Sequence, residues 1–185
     1  MKIKKIICIV FTLVIVFSMS ACGGSSGGSS GAQSNLSGTP EEILSQLVKD
    51  IESAGVDMPM SLPPTEVTAE LSQNTIGLSE ADFDKLVYSA SYNMAAIGTF
   101  AHQIIVIQAN DKDAAVEVKK LVSGEGGYDS HKWICVFPEK TVAVDSGSYV
   151  LLVASYVSVV EAALEAFKEA AGSTGDVVEF WESPE

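Results

Sequence analysis

Few side chains in this 185-residue chain have the type and spacing that chemistry requires. Its two histidines are His102 and His131. His131 lies in the polar segment Tyr128-Asp129-Ser130-His131-Lys132. Asp129 and His131 offer a metal two ligands, which is short of a site; a solvated loop is the expectation. His102 opens an apolar segment and reads as a strand-end residue. Cys135 sits in Trp133-Ile134-Cys135-Val136-Phe137, where apolar burial would raise the thiol pKa and leave it inert. No CxxC pair exists, which excludes a thioredoxin-type dithiol. Asp111-Lys112-Asp113 starts like a calcium loop but lacks the Gly and terminal Glu that must follow, so helix capping accounts for it. Glu41-Glu42 and Glu66/Glu70 read as solvated acids, not as an acid/base pair. GxSxG, HExxH, P-loop and dinucleotide fingerprints are absent. The expectation is no catalytic residue, no metal and no cofactor.

Charge narrows the partners. The chain has 11 Lys, no Arg and 24 acids, a net charge of −13. Nucleic-acid binding runs on clustered Lys and Arg, and bidentate guanidinium recognition needs Arg. Nucleic acid is therefore not expected as a partner. Apolar residues make up 47% of the chain, too many for a wholly disordered protein.

The first 21 residues read as an address. Lys2, Lys4 and Lys5 precede an apolar run, Ile6 to Phe17, broken by Thr12. A membrane span needs roughly 18 or more apolar residues and this run has about a dozen, so the pattern is a cleaved secretory signal. Ser20-Ala21-Cys22 resembles the lipobox of bacterial lipoproteins, although Met19 replaces the usual Leu. The resemblance implies that Cys22 is acylated with diacylglycerol and becomes the first residue. Its acyl chains would hold the protein at the outer side of the cell membrane. Cleavage would remove three lysines and no acid, leaving 8 Lys against 24 acids, a net −16. Cys135 would then be the one free thiol. Residues 23–38, rich in Gly and Ser, read as a flexible tether with a root-mean-square span of roughly 22 Å.

One domain over 39–172 is expected to follow. Thr39-Pro40-Glu41-Glu42 forms a capping box, and Ile43, Leu44, Leu47, Val48 and Ile51 recur at helical spacing up to Gly55. Met58 to Pro64 is an extended apolar connection that fills gaps over the core or, less in keeping with its type, a Met-rich binding surface. Ser79 starts a short helix through Leu86. Val87 to Met94 alternates as a strand, with Ser89, Ser91 and Asn93 on a polar face that is solvated or, if helices cover the other side, free for a partner. His102 to Ala109 is a strand apolar on both faces. Lys112 to Val122 is a helix, 141–145 and 149–154 form a hairpin, and 155–171 is the last helix. The chain thus reads as a ββα unit used twice. The predicted fold is α+β and two-layered: a four-stranded, mostly antiparallel sheet with helices on one face, preceded by an N-terminal helix. Trp133 to Phe137 is a short strand or a packed loop. Residues 173–185 form an acidic tail in which Phe180 and Trp181 dock a partner, fold back on the domain or add an edge strand.

The stretch 39–171 resembles the small lipoproteins grouped as domain of unknown function 4358. The matching features are the lipobox and tether, Glu41-Glu42-Ile43-Leu44, Ile76-Gly77-Leu78, Asp111-Lys112-Asp113-Ala114 and Gly147 to Val153 before the final helix. Their order is the specific part. The Gly124 to Gly127 cut after the middle helix and the acidic tail depart from the pattern. The resemblance implies no activity and no site residues. The expected role is a membrane-tethered, non-catalytic binding or interaction module for an envelope protein, a cationic peptide or a cation. The alternatives are a small envelope enzyme with a carboxylate-based site and the ligand-capturing subunit of a transporter.

Overall fold

The structure, a computed structural model, describes residues 34–182. The signal, Cys22 and the tether as far as residue 33 lie outside the described residues. Five helices and six strands follow in the order α1 (Pro40–Ser53), β1 (Thr65–Glu66), α2 (Ala69–Ile76), α3 (Glu80–Leu86), β2 (Val87–Met94), β3 (Gln103–Ala109), α4 (Lys112–Val122), β4 (Lys140–Ser146), β5 (Tyr149–Ser155), α5 (Val157–Ala171) and β6 (Val178–Glu182). The α1 capping box forms: Thr39 Oγ1 accepts from Glu42 N and the Glu42 carboxylate accepts from Thr39 N. Asp111 caps α4 by accepting from Ala114 N at 2.8 Å.

The strands form one antiparallel sheet in the order β1-β2-β3-β5-β4-β6. The four-stranded, two-layer expectation is therefore corrected on two counts. First, two edge strands extend the sheet. Prolines 63 and 64 hide β1, which is only two residues long and exposed. β6 is the edge strand that the sequence left open as one of three fates of the acidic tail. Second, helices cover both faces. Ile104 and Val106 of β3 join Val142, Val144, Leu151 and Val153 under α1 and α5. Ile105 and Ile107 join Ala143, Val150 and Leu152 under α4, α2 and α3. A strand with apolar residues on both sides needs cover on both sides. The connection β3–α4–β4 adds a topological reason. β3 and β4 run parallel with β5 between them, and the near-universal right hand of such crossovers confines α4 to one face. The opposite face is left for α1 and α5.

The register fixes what lies at each end of the sheet. Met94 pairs with Gln103, Gln103 with Ala154, Ala154 with Thr141 and Thr141 with Trp181. We call this the Met94 end. The β4–β5 turn with Gly147 marks the other end, where Ser34 lies against Gly147 and Asn35 N donates to Ala171 O at 2.9 Å. Residues 34–38 are held there, with Tyr149 Oη donating to Gly38 O.

Candidate functional site

The Met94 end gathers the loops that no helix covers. Of the nine exposed large hydrophobics among the described residues, six lie there: Met60, Leu62, Ile97, Phe100, Ile134 and Phe137. Backbone pairing places them: Leu62 N donates to Met94 O and Ala96 N to Met60 O. Solvated loops ordinarily expose polar residues, so this concentration is what needs explaining.

The loop 123–139 is built from glycine. Gly77, the left-handed C-cap of α2, has φ +77°, and a Cβ there would stand 2.6 Å from Gly127 O and closer still to Gly127 C and Tyr128 N. Two glycines thus let α2 and the loop touch backbone to backbone. That contact delivers Lys132 to the C-terminus of α2. Its Nζ donates to Gln103 Oε1 at 2.5 Å and Thr75 O at 3.0 Å, reaches Asn74 O at 3.5 Å, and lies 4.0 Å over the Tyr128 ring. A cation suits the free carbonyls of a helix C-terminus. Tyr128 Oη also donates to Gln103 Oε1, at 2.8 Å. Burial pushes the Lys132 ammonium down to about 7, against the pull of Asp129. Burial, with Asp129 adding to it, pushes the Tyr128 hydroxyl well up. Lys132 lines an open cavity of about 220 Å3 with Asn74, Thr75, Tyr92, Met94, Gln103 and Trp133. A titratable group with a displaced pKa in a cleft marks a functional candidate. Among the described residues no carboxylate pairs with this ammonium.

The residues singled out in the sequence fare differently. Asp129 and His131 do meet: Asp129 Oδ1 accepts from His131 N at 2.8 Å and lies 3.7 Å from the ring. No group of three His, Cys, Asp or Glu side chains forms among the described residues. Cys135 is exposed, with φ +63°, which corrects its expected burial. Trp133 to Phe137 is a loop with Ile134 86% exposed, because Tyr128 and Trp133, not Cys135, supply its inward anchors. Phe180 and Trp181 are engaged by their own chain in β6. Phe180 packs on Tyr128, and Trp181 packs on His131 and donates from Nε1 to Pro138 O at 2.9 Å. Ser91 and Asn93 are buried, and Asn93 Oδ1 accepts from Ile104 N, so most of that polar face is not open to a partner. Met60 is exposed while Met58 packs on the core. A larger groove, about 590 Å3, runs between α1 and this segment.

His102 is fully buried beside the site. Its Nδ1 lies 2.8 Å from Ser155 Oγ, and its Nε2 has no hydrogen-bond partner among the described residues. Burial lowers its pKa from 6.5 to about 4. The unfolded chain therefore binds more protons between these values, and the folded state loses stability as pH falls through that window. At about 1.4 kcal/mol per pH unit the full effect is roughly 3 kcal/mol. Urea unfolding at pH 7.5, 5.5 and 4 should show this fall in wild type, with the part due to His102 missing in His102→Leu. Equal pH slopes in the two proteins would refute the assignment.

Lys132 and Gln103 escaped the sequence reading. The usable signal was a glutamine opening a strand with an apolar centre and a lysine between Tyr128 and the apolar stretch that begins at Trp133. No protein-family model, curated protein or solved structure matches the chain.

Proposed function

We propose that this chain is an extracytoplasmic lipoprotein, held to the membrane by acylated Cys22, whose domain is a non-catalytic binding module working at the Met94 end of its sheet. One observation carries the reading: the chain joins the domain beside Gly147, while the uncovered loops and the Lys132 cavity lie at the opposite end of the sheet. A seven-residue strand is roughly 23 Å long. The Met94 end thus stands away from the bilayer, where a ligand or envelope partner meets it. The resemblance of the motif order to that of the domain of unknown function 4358 family is consistent with the lipoprotein reading and brings no activity with it. The lining of the Lys132 cavity contains no carboxylate, which favours binding over a carboxylate-based enzyme.

A membrane-impermeant maleimide applied to cells, with any outer membrane permeabilised, tests both halves. Cys135 should be labelled without lysis, Cys135→Ser should lose the label, and Cys22→Ser should leave the membrane fraction. Labelling only after lysis, or a Cys22→Ser protein that stays with the membrane, would overturn the reading.

A further inference from the structure

We propose that the cavity beside Lys132 binds a small organic acid through its carboxylate, with the acid's apolar body against Trp133, Tyr92 and Met94. The inference rests on the reading above only in taking this end as a binding site.

The first argument is the missing anion. Lys132 is half-buried, and a lysine drawn out of water ordinarily has a partner of opposite charge. Lys85, Lys119 and Lys140 each have a carboxylate partner. Lys132, the lysine that lines this cavity, makes its direct contacts with neutral oxygens and ring faces, and among the described residues Asp129 acts on it without forming an ion pair. An ammonium has three N–H donors. Two are well used, on Gln103 and Thr75; the third reaches Asn74 O at 3.5 Å, the outer limit of a hydrogen bond. That donor is free for a better acceptor.

The second argument is the second donor. Gln103 Oε1 accepts from both Lys132 and Tyr128, so its amide N–H groups are what Gln103 has left to offer. One ammonium N–H and one amide N–H suit the two oxygens of a carboxylate. They do not suit a phosphate dianion, which calls for more positive charge than one lysine. A cation is disfavoured because Lys132 already holds the electron-rich position.

The third argument is size and wall. About 220 Å3 is below the 300–1,000 Å3 typical of drug-sized ligands. Trp133, Tyr92 and Met94 supply an apolar side. A short or aromatic monocarboxylate fits this shape; a sugar, with hydroxyls on every side, does not.

A bound carboxylate also changes the proton balance. Asp129 and Tyr128 are the ionisable groups that act on Lys132 among the described residues, and Tyr128 stays neutral. The amine is largely neutral at pH 8 when the cavity holds no anion, because burial keeps it near 7. An added anion favours the charged form, so binding at pH 8 takes up a proton.

The test uses the intact chain in phosphatidylcholine nanodiscs. Butyrate and phenylacetate are titrated beside butyramide and phenylacetamide, read by calorimetry in two buffers of different ionisation enthalpy and by tryptophan fluorescence. The acids should bind saturably, about ten- to a hundredfold tighter than their amides, the worth of one charge-assisted hydrogen bond. They should take up protons at pH 8, and Lys132→Met should abolish both effects while Lys132→Arg keeps the acid preference. Amides that bind as well as acids, binding without proton uptake, or no saturation by roughly 50 mM acid would overturn the proposal. The acid–amide comparison is made on wild type, so it stands even if Lys132→Met fails to fold. Failure of all acids would leave the Cys22 and Cys135 results untouched.

Discussion

Replacing Gly77 by alanine is expected to lower stability by about 4 kcal/mol or more, roughly 10–15 °C in Tm. Two costs add. At φ +77° a Cβ is strained by about 1–2 kcal/mol. The methyl must also occupy space held by the backbone of Gly127 and Tyr128. That backbone cannot retreat easily, because Tyr128 N donates to Val122 O at 2.8 Å and a Cβ at Gly127 would itself stand 2.5 Å from Val122 O. Gly55 separates the two costs. It has φ +74° and nothing within 4 Å of its Cβ position, so Gly55→Ala should cost only about 1 kcal/mol, the strain alone. Thermal unfolding of both variants gives the comparison; equal losses would show that the α2–loop contact contributes nothing. The loss at Gly77 should reach the site too, since this contact sets Lys132 against Thr75 and Gln103.

Why some of this was legible in the sequence and some was not follows from range. The α1 capping box and the Asp111 cap depend on residues three apart, and their signals agree with the elements found; β2 spans Val87–Met94 as expected but does not keep the expected sides, since Tyr88 is exposed while Ser91 and Asn93 are buried. The helix α2 was hidden because Gly77 draws the eye to a turn, while its buried residues are only Ser72, which is polar, and Ile76. β1 was hidden, and β6 was left as one alternative among three, because both gain their status from pairing partners far away in sequence, Tyr92 and Thr141. The doubly apolar β3 did carry the clue to a second helical layer, but a repeat of ββα units suggested a single face. The site was illegible for the same reason. Lys132, Gln103 and Thr75 converge from three separate segments, and nothing local marks Lys132 as half-buried. Phe180 and Trp181 stood out correctly as apolar residues in an acidic tail, and Trp133 and Cys135 as an apolar stretch. Which of these turn inward is settled by tertiary contacts with Tyr128, His131 and Pro138.

The tail's attachment gives the other large effect. Lys119 of α4 pairs with Asp145 of β4, and both side chains are largely buried, 13% and 3% exposed. Among the described residues Asp145 Oδ1 has this ion pair and no other partner. The linker to β6 is laid across the pair: Lys119 Nζ donates to Asp176 O at 2.9 Å, Gly175 N to Asp145 O at 2.8 Å, and Ser146 Oγ to Ser173 O at 2.6 Å. Gly175 is needed there because a Cβ would stand 2.5 Å from Asp145 Oδ1. Lys119→Met should therefore cost about 3–5 kcal/mol, since it leaves a buried carboxylate without a counter-charge. The size comes from the abandoned charge more than from the lost attraction. It follows that Lys119→Met combined with Asp145→Leu should recover most of the loss, to within about 1–2 kcal/mol of wild type. Urea unfolding of the two singles and the double closes the cycle. Limited proteolysis should cut the 172–177 linker faster in Lys119→Met than in the double variant only if it is the stranded carboxylate that opens the sheet edge. Equal cutting in both would mean instead that the Lys119–Asp176 hydrogen bond holds the linker. A double variant as unstable as the single would mean that the pair attracts strongly enough to outweigh its own desolvation, and that α4 is anchored to the sheet by charge and not by Ala115, Val118 and Val122.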